Sequence, residues 1–133
     1  MTRFVVDAGA VLHLAMASEE AEVSGAYKLL APTLLRSQTL SALHEAVQRG
    51  EIPADVARDR LTRIRRLRIR LLGDAVLQRR AWDLADQLGW ASTYNAEYVA
   101  LTQLQADAFV TLDAELARSV EGIVATASID ALR

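Results

Sequence analysis

Short apolar runs alternate along the chain with longer segments of helical period. Residues 3–8 (RFVVDA) form a β-branched run of strand length, and residues 31–36 (APTLLR) a second. Residues 108–113 (AFVTLD) and 122–127 (GIVATA) are apolar without alternation, the pattern of strands buried on both faces of a parallel sheet. Residues 67–72 (LRIRLL) do alternate, with Ile69 and Leu71 against Arg68 and Arg70, which places that strand at an edge. Between the runs, Ser37 is placed to cap a helix carrying Leu40, Leu43 and Val47 as one stripe, ended by Gly50. Pro53 opens a helix over 54–66, Asp74 caps one closed by Gly89, and Ser92 or Thr93 caps another that runs through Gln105. Strands alternating with helices give an α/β fold with right-handed crossovers.

Composition narrows the classes. A chain of 133 residues, 52% hydrophobic, with two prolines and six glycines, predicts one domain over 1–133 without a linker or low-complexity tail. The absence of cysteine excludes disulfides, thiolate metal sites and a cysteine nucleophile. The opening MTRFVVDAGAVLHLAMA has the crude parts of a signal peptide, but Asp7 and His13 interrupt it, so it reads as strand then helix. The apolar stretches are too short to span a bilayer, and the expected setting is soluble and cytoplasmic.

Charge is unevenly spread. The net charge is −2, yet residues 58–70 hold seven arginines (Arg58, Arg60, Arg63, Arg65, Arg66, Arg68, Arg70) and one acid, Asp59. That segment carries a net +6 and the remainder −8. A basic ridge on an acidic body fits contact with nucleic-acid phosphates; a solvated helix face explains it as simply.

In open parallel sheets, sites gather at the carboxyl ends of the strands. Asp7 ends the first strand and Asp113 the fourth, where each is costly unless it caps a helix or meets a cation. If those strands are neighbours, the two carboxylates repel unless a proton or metal intervenes. Glu45 lies opposite the Leu40/Leu43/Val47 stripe and is expected at the surface. Asn95 shares a helical face with Val99 and Thr102 and is expected to point inward, where an amide needs partners. Thr93 and Thr111 stand beside these positions.

Four motifs, VVDAGAV, the helix SALHEA with Glu45, TYNAEYVALTQLQADAFVTLD and the final IVATAS, resemble in order and spacing a PIN domain. The resemblance is strongest to the VapC-type toxin ribonucleases and covers essentially the whole chain. It implies a doubly wound, mainly parallel five-stranded sheet flanked by helices, and an acidic cluster binding Mg²⁺ or Mn²⁺ for RNA hydrolysis. It further implies a cognate antitoxin, and a homodimer for which a helix face near Tyr27 or Leu30 is the expected surface. Carried over residue by residue, the catalytic and metal-binding cluster is Asp7, Glu45, Asn95 and Asp113. Asn95 departs from the pattern, because the family usually has aspartate there. An amide carbonyl is still an oxygen ligand, but one negative charge is lost from the cage. Three readings follow: a metal-dependent endoribonuclease toxin, a PIN fold reduced by Asn95 to a binding module, and an unrelated nucleotide-binding domain. The last lacks any G-x-G-x-x-G or P-loop after a strand. His13 and His44 read as ordinary helix residues.

Overall fold

The structure, a computed structural model, describes residues 1–16 and 25–132. Strand β1 (Thr2–Val6) leads into α1 (Ala8–Met16), then β2 (Tyr27–Pro32), α2 (Leu34–Gln48), α3 (Ala54–Arg66) and β3 (Arg70–Leu72). Helices α4 (Ala75–Leu88) and α5 (Tyr94–Gln105) follow, then β4 (Ala108–Val110), α6 (Ala114–Ser119), β5 (Thr126–Ala127) and a 3₁₀ turn, Ile129–Leu132. The five strands form one sheet in the order β3-β2-β1-β4-β5, and every pairing is parallel. Helices α1, α2 and α3 pack on one another, while α5 packs on α4 and across β1, β2 and β4. The chain is therefore an α/β doubly wound parallel sheet flanked by helices.

Burial explains the apolar runs. Val5, Val6, Phe109 and Val110 are wholly inaccessible, as central strands covered by helices must be. The opening segment folds as strand then helix, and none of the described helices is long and apolar enough to cross a membrane. Asp74 caps α4 by accepting from the Leu77 amide at 2.9 Å, and Gly89 closes that helix at a φ of 69°, which suits glycine.

Several boundaries differ from expectation. The second strand is Tyr27–Pro32, because Pro32 and Thr33 break the apolar run and Leu34 already begins α2. Ser37 therefore lies inside α2, whose cap residue Thr33 makes no side-chain cap bond. With the helix starting earlier, Leu35, Thr39 and Leu43 are its buried residues and Leu40 is 54% exposed. The last strand is only Thr126–Ala127, since Gly122 turns at positive φ before it. The edge placement of residues 67–72 holds for Arg70–Leu72. Tyr27 and Leu30 belong to β2 and not to a helix. Leu30 is buried and the Tyr27 hydroxyl donates to the Leu132 carbonyl, so the helix face expected there is instead a strand.

Candidate functional site

The chain winds from β1 outward to β2 and β3, then returns to lay β4 and β5 on the other side of β1. The β1/β4 boundary is thus the topological switch point, the place where sites gather in open parallel sheets. Register pairs Val6 with Val110, so the residues just beyond, Asp7 and Thr111, stand side by side.

Neither acid lies within a strand. Asp7 follows β1 and Asp113 stands three residues past β4, each at the start of a helix. Asp7 Oδ1 accepts from the Ala10 amide at 2.9 Å, and Asp113 Oδ1 accepts from the Glu115 and Leu116 amides at 3.0 and 3.1 Å. Capping, the plain structural role, is therefore real for both. It also fixes both carboxylates, since the favourable field at a helix start holds an anion in place.

Thr111 joins the two loops. Its hydroxyl donates to Asp7 Oδ2 at 2.5 Å and accepts from the Asp113 amide at 3.1 Å. Asp7 is half-buried, and burial pushes its carboxyl above the ordinary carboxylate value. The hydrogen bonds from Thr111 and Ala10 pull the other way, and the Asp113 charge adds to the rise. Asp113 itself is exposed.

Tyr98 is a part of this region that sequence reasoning missed. It is 2% exposed on α5, and its hydroxyl donates to Gln38 Oε1 of α2 at 2.5 Å. Burial first, and then the charges of Asp7 and Glu97, keep that hydroxyl protonated well above the usual tyrosine range. The signal is present in the spacing, since Tyr98 stands three residues after Asn95 on the same face. Glu97 is half-buried, and burial raises its carboxyl.

Asn95 is exposed, not buried. Its helix face buries Tyr98, Val99 and Thr102 one to two turns further along α5, but that burial does not reach Asn95 in the first turn. Glu45 is exposed on α2, as expected, and its charge is felt at Arg49, one turn along the same helix. The structure thus brings Asp7 and Asp113 together. Among the described residues no three carboxylate or imidazole side chains gather closely enough to cage a cation, so Glu45 is not drawn into the pair. A shallow, open concavity of about 390 Å³, lined by Met1, Arg3 and residues 103–107, lies at the opposite, amino-terminal end of the sheet. The switch-point chemistry outweighs that hollow, whose one acid, Asp107, is tied to the Arg3 backbone.

No family model matches the chain, and no curated protein matches it. Among solved structures it is similar to the crystal structure of PAE2754 from Pyrobaculum aerophilum, at 21% identity and a TM-score of 0.76, over 98% of this chain and 93% of that one. The likeness extends over the whole fold.

Proposed function

We propose that the chain is a metal-dependent endoribonuclease of the PIN type, acting in the cytoplasm as the toxin of a toxin-antitoxin pair and restrained by a cognate antitoxin. The observation that carries this reading is the pair of carboxylates, Asp7 and Asp113, fixed at a topological switch point and coupled through Thr111.

The residues present suit Mg²⁺ or Mn²⁺. All the donors are oxygens, which hard cations prefer, and Mg²⁺ is commonly held by only one or two carboxylates together with substrate phosphate and water. Positive charge there would also relieve the burial and repulsion that push the Asp7 carboxyl up. Asp7 and Asp113 would be the direct ligands, with the exposed Glu45 and Asn95 as the further oxygen donors that the resemblance assigns. When bound, the cation supplies charge neutralisation at the phosphate and acidifies water for in-line attack. The chain's own residues do the positioning. The helix-start amides and the Thr111 hydroxyl fix the two carboxylates, and the protonated Tyr98 holds α2 to α5. The homodimer implied by the resemblance belongs to the same proposal.

A second reading, a PIN fold kept as a binding module, is favoured by one observation: three acids do not gather among the described residues. Cleavage assays separate the two. The nuclease reading expects Mn²⁺-dependent RNA cleavage by the wild type and its loss in Asp7→Ala and Asp113→Ala. Full cleavage by both variants would overturn the site. A wild type inert at saturating Mn²⁺ that gains cleavage through Asn95→Asp would make the natural protein a binding module.

A further inference from the structure

The arginine-rich segment has no role in the site so far described. Five of its arginines, Arg58, Arg65, Arg66, Arg68 and Arg70, are exposed. Among the described residues the one ion pair of this segment joins Arg63 to Asp59 at 3.0 Å, within α3 itself. The segment thus carries a net +6 on a chain whose remainder carries −8.

Register gives the distance from this ridge to the acids. Arg70 pairs with Leu30, and Leu30 pairs with Val5, so Arg70 is level with a residue only two positions before Asp7. Two strand spacings across the sheet and two residues along it put the Arg70 Cα roughly 12 Å from that of Asp7. From there the arginines run back along α3, whose thirteen residues extend about 20 Å.

We propose that this face, from Arg58 to Arg70, is a track for the phosphates of an RNA strand, leading across the β3 edge toward Asp7 and Asp113. The inference rests on the nuclease reading for where the strand leads, but the binding itself needs no chemistry. Charge complementarity selects the occupant. The net charge of +6 on residues 58–70 suits the repeated negative charge of a phosphate backbone, whose oxygens arginine meets with paired N–H donors.

The test is fluorescence anisotropy with a labelled single-stranded RNA in EDTA, where cleavage does not proceed, over a series of NaCl concentrations. Arg58→Gln, Arg65→Gln and Arg66→Gln combined should weaken binding roughly tenfold at low salt and reduce the log–log salt slope by about 2, near 0.7 for each phosphate no longer neutralised. A control combining Arg79→Gln, Arg80→Gln and Arg118→Gln, exposed arginines of α4 and α6, should leave the slope unchanged. Unchanged thermal melting would show that all of these proteins are folded. Equal losses in ridge and control variants, or no RNA binding by the wild type at low salt, would overturn the track. Because the metal titration and cleavage assays are run separately, those results would leave the reading of Asp7 and Asp113 standing or falling by itself.

Discussion

The two ends of the sheet each hold an aspartate that accepts from main-chain amides, and they use it differently. At the amino-terminal end, Asp107 Oδ2 accepts from the Arg3 amide at 2.8 Å, while the Asp107 amide donates to the Arg3 carbonyl at 2.9 Å. The Arg3 guanidinium donates to the Gln105 carbonyl at 3.5 Å, and the arrangement is a staple between β1 and the residue before β4. At the carboxyl-terminal end, Asp7 has a hydroxyl and an amide, and its charged neighbour is another carboxylate, Asp113. One end is a main-chain staple. The other concentrates negative charge in a half-buried place, which costs stability and is the kind of cost that functional sites carry.

The sharpest way to break the contrast is to remove the hydroxyl that joins the two acids. Thr111→Val keeps the shape but leaves a half-buried carboxylate oxygen without its donor and the Asp113 amide without its acceptor. Urea denaturation should show a loss of about 1–3 kcal/mol. Metal binding should weaken as well, because Asp7 and Asp113 are no longer held in register. A variant as stable as the wild type would mean that the hydroxyl bridge is incidental.

The matching change at the other end should be milder. Asp107→Ala removes an exposed staple and should cost about 1 kcal/mol in the same assay. Mn²⁺ affinity should not move. If Asp107→Ala weakened Mn²⁺ binding as much as Thr111→Val, the division between a structural end and a chemical end would fail.

The third comparison uses pH. The Asp7 carboxyl is raised in the folded state, chiefly by burial, above its ordinary value of 3.8. Between that value and the raised one the folded protein binds more protons than the unfolded chain, so this group makes stability fall as pH rises through the window. Above the window the penalty is complete. Asp7→Asn removes it, while its Oδ1 still accepts from Ala10 and the Thr111 hydroxyl turns to accept from the new amide. Melting followed by circular dichroism should place the variant above the wild type at neutral pH, with the gap closing below pH 3.8. A gap that persisted unchanged in acid would show that the Asp7 charge is not the cause.

The sheet is largely legible in the sequence, because Val5–Val6 and Phe109–Val110 must be apolar on both faces and so lack alternation. The boundary after β2 is not. Leu29, Leu30, Ala31 and Leu35 are all buried, so apolar residues flank Pro32 and Thr33 on both sides and hydropathy alone does not assign one side to strand and the other to helix. The two residues of β5 become a strand only by pairing with β4, a contact that no local pattern records. At the site, the neighbouring positions of Asp7 and Asp113 follow from parallel-sheet logic once β4 lies beside β1. The exposure of Asn95 does not follow, since helical spacing gives a residue's direction around the axis and not its height above the sheet. Thr111 stands beside the cluster in sequence, but its double hydrogen bond needs two loops that are distant in the chain.

The most direct test of the central claim, that Asp7 and Asp113 together hold a divalent cation, is calorimetric titration of Mn²⁺ into the wild type, Asp7→Asn and Asp113→Asn. Both substitutions keep an Oδ1 acceptor for the helix-start amides and remove one negative charge, so the fold should be retained. The account predicts saturable binding to the wild type and at least roughly tenfold weaker binding to each variant, a loss no smaller than outer-shell changes produce at metal sites. Equal affinity in all three proteins, or no binding to the wild type, would contradict it.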